Sequence, residues 1–424
     1  MSLYPVTVAH RRTFWASQQP HYSPRTLDLL PISADDVQFS WGLGVHSTAL
    51  LLLMVLYPAC YAFDIRRLVV VVAQTGSEFA DIKALVEEHI FPILRHVQIR
   101  VVQVARHGLY KEDGIVVLDD TRNPTTLYIE GDYTLITELM EAGTVPQVAQ
   151  GKHICAQKYK GEVIDGWVDL WHEGQPYRNI LGYHAGEPER MTKAQSYTTR
   201  VIAHESPLIE MGWGHQMCLD FIWHLMGVNW VKSLCSYCPF AGGRQFILDR
   251  YAAEPERGIE ALLMEYCAMA LNGNMTLFGS GKSLYDSVLA QDTRIVGSLE
   301  SVINGFSQRL DTREWSIYRI QRIYYERPDR KKRPMTDRNV EIVLRGSRQD
   351  VVQAMGRMIG EHVEDAGHLR VYTRRRAVPD RSKTTIEEFC VAAPSGIVEK
   401  QKKRFPKAWA HLALQQRMFT TNAR

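Results

Sequence analysis

Three short stretches carry residue types whose spacing could do chemistry. The first, FSWGLGVHSTALLLL at Phe39 to Leu53, runs through a glycine-rich turn and enters an apolar segment by way of His46, Ser47 and Thr48. A turn of that kind, between a strand and a helix, aims several backbone N–H groups and hydroxyls at one point, which suits a phosphate or pyrophosphate. It lacks the Gly-Lys-Ser/Thr of a Walker A loop, and the plainer alternative is a strand-to-helix turn with a serine cap. The second, LCSYCPFAGG at Leu234 to Gly243, holds Cys235 and Cys238 at C-x2-C spacing, so that both thiolates can reach one metal ion. A pair of core cysteines is the alternative there. The third is basic: RPDRKKRPMTDR at Arg327 to Arg338, followed by TRRR, with Tyr318, Tyr324, Tyr325, Tyr372 and Trp409 interspersed. Such a region offers phosphate contacts and stacking surfaces to DNA or RNA, without any motif that would read a sequence.

The elements that must position these groups can be read from periodicity. Val37 to Trp41 reads as a short strand, and the helix that follows the glycine turn ends at Pro58. Leu68 to Ala73 (LVVVVA) is a β-branched run of the kind buried on both faces of a parallel sheet. The stretch TGSEFADIKALVEEHIFPIL is a second helix with a stripe at Ile82, Leu85, Val86 and Ile90, and Val97 to Val104 a third strand. Strand and helix in strict alternation predict right-handed βαβ units, with ligands at the carboxyl ends of the strands. Asp113 to Gly151 reads as mostly helix or loop, Asn179 to Tyr183 as a strand, Phe221 to Met226 as helix and Asn229 to Cys238 as a loop. Beyond Arg250 the reading is a helical extension to residue 326, then a small basic β-α-β element built from NVEIVLRG, a helix at Gln349 to Glu361 and HLRVYTRRR, and a closing helix. The expected division is an irregular arm over residues 1–36, a nucleotide-binding domain over 37–250, the extension over 251–326 and the basic α+β region over 327–424.

The glycine turn resembles the PP-loop, and in particular the SFGGGxxSTAL form found in the phosphoadenosine phosphosulfate reductase-like family. That resemblance covers roughly Gln38 to Gly243. It implies a Rossmann-like parallel sheet with flanking helices, of the PP-loop or HUP type, and assigns phosphate binding to Ser40, Gly42, Gly44, Ser47 and Thr48. Leu43 stands where a glycine is usual, and His46 where other members carry Asp. QTGSEF at Gln74 to Phe79 is similar to the family's DTGxE segment, which implies that Thr75, Gly76 and Glu78 lie near the base and ribose; a charge favourable to a helix N-terminus is the alternative for Glu78. LGYHAGEPERM is similar to a GxxxxExxR segment and implies that Glu187 and Arg190 sit near the phosphates, although Glu and Arg three apart are also a common helical pair. HICAQKYK is similar to an R-x-C-T-x-x-x-K segment and brings in Cys155, with Lys158 and Lys160 as cations beside phosphate or thiolate. With Cys218, the family context implies a four-thiolate set, Cys155, Cys218, Cys235 and Cys238, for a [4Fe–4S] cluster or Zn2+. Of the other cysteines, Cys60 and Cys267 read as core residues, and Cys390 has no neighbouring His.

Composition sets the outer bounds. Of 424 residues, 45% are hydrophobic and 23% charged, which fits a globular chain and excludes a disordered one. Apolar runs fall well short of the roughly 20 residues that span a bilayer, and with no signal architecture at the N-terminus the expected location is the cytoplasm, with no membrane partner. Residues 301–424 contain 26 Lys and Arg against 14 Asp and Glu, a balance of +12, while the rest of the chain stands at −9. A polyanionic partner for the tail, or ion pairing within the protein, would each account for that asymmetry. The expected function is an enzyme that binds ATP or a related adenine nucleotide with Mg2+ for adenylation or sulfur transfer, with His46, Lys158, Glu187 and Arg190 at the reacting centre and a nucleic acid as acceptor. The alternatives are a nucleotide-sensing or nucleic-acid-binding module without turnover and a sulfonucleotide reductase; the lack of an ECGLH string argues against the latter.

Overall fold

A computed structural model describes residues 37–58, 61, 63–149, 152–199, 201–240, 242–279, 281–290, 299–326, 336–365, 367–376 and 383–421. The arm over residues 1–36, Cys60 and most of the RPDRKKRPMTDR cluster lie outside the described residues. The chain forms two compact units, one from residues 37–135 and 147–238, the other from residues 136–146 and 239–421.

The first unit is built on β1 (Val37–Ser40), β2 (Val69–Gln74), β3 (Arg100–Arg106) and β4 (Ile115–Thr121), a two-stranded ribbon of β5 (Val148–Ala149) and β6 (Lys152–His153), then β7 (Tyr177–Leu181) and β8 (Ile202–Glu205). Its main sheet has the order β4-β3-β2-β1-β7-β8. Every neighbouring pair runs parallel except β3 and β4. The β-branched VVVVAQ of β2 is buried on both faces because helices cover the sheet on either side. Helix Val45–Leu56 follows β1 and is apolar almost all round, so it sinks into the core beside Phe221, Ile222 and Leu225 of helix His215–Met226. The second helix runs through Ala80–Leu85, a π turn at Val86–Ile90 and Phe91–Val97. Between β7 and β8, Arg178 donates to both oxygens of Glu205 at 2.7 and 2.9 Å with both side chains buried, and this pair fixes the edge register.

Two differences from the sequence reading concern this unit. The stretch assigned to helix or loop from Asp113 contains β4, whose IVVLDDT is half-exposed and antiparallel at the sheet edge, so it lacks the continuous apolar run that marks the inner strands. Residues 136–146 belong with the second unit, a long-range association that periodicity cannot reveal.

The second unit carries β9 (Trp315–Tyr324), β10 (Thr336–Gly346), β11 (Glu361–Asp365), β12 (His368–Arg374) and β13 (Thr385–Pro394) in the order β10-β9-β13-β12-β11. All pairs are antiparallel. Helix Pro255–Leu271 packs on this sheet through Cys267, Ala270 and Leu271 against Tyr318, Ile320, Phe389 and Val391. The expected helical extension over 251–326 therefore ends in β9, a central strand, and the expected β-α-β element is part of a five-stranded sheet. Among the described residues, no helix is long and apolar enough to cross a membrane.

Candidate functional site

In the first unit the chain winds outward from β1 through β2 to β3 and then returns to place β7 on the other side of β1. The loops after β1 and β7 therefore diverge at the point where the strand order reverses, which is where open α/β sheets form a ligand crevice. Helix Val45–Leu56 begins there with Gly44 as its N-cap. The first N–H groups of a helix have no intrahelical acceptor, and the positive end of the helix dipole adds to their pull on an anion. Gly44 has φ −79° and ψ 168°, and nothing lies within 4 Å of the position a Cβ would occupy. Open space, rather than backbone strain, is what glycine provides at this position. Gly182, after β7, is different: a Cβ there would stand 2.5 Å from Ser47 Cα, so only glycine lets the two loops approach.

Four side chains from three segments meet beside this helix end. His46 Nε2 lies 2.8 Å from His215 Nδ1, and the ring centroids of His46 and His184 are 4.2 Å apart. His184 and Glu187 come from the loop after β7, where the Glu187 carboxylate accepts from Arg190 Nη1 at 2.5 Å. His46, His184 and Glu187 bring one potential ligand atom each to within 4.8 Å of one another, close enough to coordinate a metal ion. Burial, then the neighbouring His184, lowers the pKa of His46 to about 4, so the ring is neutral at pH 7. Burial raises the Glu187 carboxyl, but the bond and charge of Arg190, together with the N–H and charge of His184, outweigh it and hold the group below the usual range. Exposed Arg190 lies with its guanidinium 4.3 Å from the Tyr183 ring.

The remaining residues expected at the site divide into two groups. Gly42, Gly44, Ser47, His46, Glu187 and Arg190 cluster around the crevice. Ser40 is turned sideways, donating to Asn179 Oδ1 at 3.1 Å, and Ser47 donates to Gly44 O at 3.1 Å. Thr48 is fully buried and accepts from Trp41 Nε1 at 3.0 Å, so its hydroxyl braces the turn instead of facing the crevice. Thr75 and Glu78 are also buried, joined at 2.7 Å, with Thr75 Oγ1 3.1 Å from Cys235 Sγ and Glu78 in a backbone bridge to Cys235. Gly76 has φ +82°, and a Cβ would meet Thr134 at 2.4 Å, which makes this glycine a packing requirement.

Cys155 and Cys235 each feel the charge of Cys238, so three of the four expected cysteines are neighbours. Cys218 lies in the apolar core with Phe221 and Trp213, and burial alone raises its thiol to about 12. Burial, and then the Cys238 charge, raises Cys155, while Cys235 is pushed up by burial and by Glu78. Among the described residues these sulfurs do not form a set of three within 4.8 Å of one another, the spacing of ligands to a single ion. Lys160, not Lys158, is the cation whose charge favours the thiolates of Cys155 and Cys235. The carbonyl of Lys158 instead accepts from Arg106.

His184 and His215 were not singled out in the sequence, although the quoted segment LGYHAGEPERM contains His184. No spacing rule joins residues 46, 184 and 215; the reversal of strand order does. A second concavity, lined by Arg66, Arg100, Arg122 and Trp171, opens at the amino ends of β1 to β3. Its arginines are engaged, Arg66 with Asp64, Arg100 with both oxygens of Asp120, and Arg122 with two backbone carbonyls, which leaves the crevice at the carboxyl ends as the stronger candidate. In the second unit the expected stacking surfaces are partly interior: Tyr318 is fully buried, Tyr324 bonds Glu387 and Tyr325 bonds Asp337. Many of its cations are likewise paired, Arg319 with Glu341, Arg322 with Glu387, Arg374 with Glu388, and Lys402 and Arg404 with Asp337. No protein-family model, curated protein or solved structure matches this chain.

Proposed function

We propose that the first unit binds the phosphates of ATP or a related adenine nucleotide at the amino end of helix Val45–Leu56, as PP-loop proteins of the phosphoadenosine phosphosulfate reductase-like kind do, and uses it for adenylation. The observation that carries this reading is Gly44: an unhindered glycine caps a buried helix at the strand-order reversal of a parallel sheet. The N–H groups of the first turn would hold the pyrophosphate before reaction, so charge that develops there as the α-phosphate is attacked meets donors already in place. Arg190, tethered through Glu187, adds a guanidinium at the rim. His46, neutral at pH 7, adds no positive charge to the helix end. Mg2+ bound with the nucleotide would neutralise phosphate oxygens. Adenylation is favoured over sulfur transfer because Cys218, one of the four cysteines of the expected set, is fully buried in the apolar core. A nucleic acid acceptor rests on the basic residues 327–335, which are outside the described residues.

A second reading, a nucleotide-binding module without turnover, is favoured by one set of contacts: Thr48, Thr75 and Glu78, all assigned to the nucleotide by resemblance, are buried in hydrogen bonds of their own. Turnover separates the two. Incubation with ATP, Mg2+ and a nucleic acid acceptor should release pyrophosphate, with AMP passing to the acceptor or, by hydrolysis, to water, if the chain is an adenylating enzyme, whereas thermal protection by ATP without release supports the module. Absence of both rejects nucleotide binding altogether.

A further inference from the structure

We propose that His46, His184 and Glu187 bind one divalent transition-metal ion of the zinc class, with open coordination positions turned toward the amino end of helix Val45–Leu56. Two imidazoles and one carboxylate form a donor set that suits Zn2+, Co2+ or Fe2+ and leaves positions for water or a phosphate oxygen. Mg2+ prefers an all-oxygen shell and gains little from two ring nitrogens. The inference rests on the nucleotide reading only for what the open positions face; binding of the ion itself is independent of it.

The side chains around the three ligands support this assignment. Ligands about 2.0–2.1 Å from a tetrahedral ion stand about 3.4 Å apart, and His184 Nε2 is already 3.7 Å from Glu187 Oε2. Arg190 holds the other oxygen of Glu187 at 2.5 Å, so one oxygen is oriented, while the second accepts only a long bond from His184 N–H at 3.4 Å and keeps a lone pair for a ligand. His215 occupies one ring nitrogen of His46 at 2.8 Å, which fixes that ring and leaves its other nitrogen. Partners of this kind, a step removed from the ion, are what orient metal-binding histidines and carboxylates. The helix start, the loop after β7 and the start of helix His215–Met226 each contribute, so the cluster depends on the fold and not on local sequence.

One contact must change on binding. His184 Nδ1 accepts from Gly186 N–H at 3.1 Å, which puts the proton of the neutral ring on Nε2. For Nε2 to take the ion, that proton moves to Nδ1 and Gly186 N–H loses its acceptor, so the turn at residues 184–187 must relax. The proton count of the ring is unchanged.

The test is a Co2+ titration of the full chain after chelator treatment, followed by its visible d–d absorbance, with Zn2+ as competitor. One equivalent should bind in the absence of nucleotide, and millimolar Mg2+ should leave it in place. His184→Gln and Glu187→Gln should each weaken binding at least 100-fold, and His215→Ala, which acts by positioning His46, 10- to 100-fold. Cys235→Ser should leave affinity and the d–d bands unchanged. Melting curves of the metal-free variants identify any that fail to fold, and Glu187→Gln, close in shape to the native residue, serves as the second probe. Failure of Co2+ to bind, binding indifferent to both His184→Gln and Glu187→Gln, or binding lost in Cys235→Ser with sulfur-to-cobalt charge transfer in the wild type would overturn the proposal. Protection by ATP, measured on the metal-free protein in parallel, reports on the nucleotide reading separately, so either idea can fail while the other stands.

Discussion

Leu43 stands where the PP-loop pattern has glycine, and it adopts φ +60°, in the left-handed region, while its side chain is 3% exposed. Two opposing terms act on this residue. Left-handed backbone costs a residue with a Cβ about 1–2 kcal/mol, whereas deleting a buried leucine side chain to a small residue costs about 2–5 kcal/mol. Packing therefore wins, and Trp230 Nε1 donating to Leu43 O at 3.0 Å holds the turn in place. Leu43→Gly is accordingly expected to lower stability by about 1–3 kcal/mol despite relieving strain, seen as a lower midpoint in urea unfolding; a rise would show that backbone strain dominates. The glycine turn was legible because glycine, serine and threonine at that spacing leave few structural options. His184 and His215 were not, because what makes them notable is their distance from His46, which sequence separation conceals.

At the scale of elements, the inner strands were readable from continuous β-branched runs, since burial on both faces leaves no room for polar alternation. The edge strand β4 was missed for the converse reason: half-exposed IVVLDDT carries two aspartates and pairs antiparallel, so nothing in it marks a parallel core strand. How the helix after β1 meets the loop after β7 depends on Gly182. Adding one methyl at this position would place it 2.5 Å from Ser47 Cα, a backbone atom that cannot swing away. Gly182→Ala is therefore expected to destabilise the fold by about 1–3 kcal/mol through overpacking and to abolish protection by ATP, because the helix start is pushed out of line. Thermal melts with and without nucleotide check both parts, and an unchanged melting midpoint would mean that the two loops are not held together as described.

Across the whole molecule, the sequence reading divides the chain into an arm, a domain over 37–250, an extension over 251–326 and a basic region over 327–424, whereas the described residues form two units whose boundary at residues 238–239 and return of 136–146 to the second follow from long-range packing. The strongly basic composition of residues 301–424 is partly explained by internal ion pairs such as Arg322 with Glu387 and Lys402 with Asp337, so net charge alone does not define a binding face. The second unit also contains a pH-sensitive group. His368 is buried against Tyr266, with ring centroids 4.1 Å apart, and burial, then Arg370, lowers its pKa to about 3. Since the unfolded chain takes up the proton near pH 6.5, stability is full above that value and falls as pH drops toward 3. At pH 5 the loss from this group is about 2 kcal/mol. His368→Phe should flatten the dependence of the melting midpoint between pH 7 and pH 5, and a variant that keeps the wild-type slope would assign the loss to other groups.

The central claim is that the amino end of helix Val45–Leu56 receives a nucleotide's phosphates, and Gly44→Val tests it most directly. The residue's dihedral angles, −79° and 168°, suit a β-branched side chain and no atom stands within 4 Å of the added Cβ, so the fold should persist with a loss of about 1 kcal/mol for valine at a helix N-cap. The new methyl groups would occupy the space a phosphate needs. Calorimetric titration of ATP into wild type and variant, at a temperature where both are folded, should therefore give binding to the first and at least 100-fold weaker binding to the second. Equal affinity in the two proteins would contradict the account.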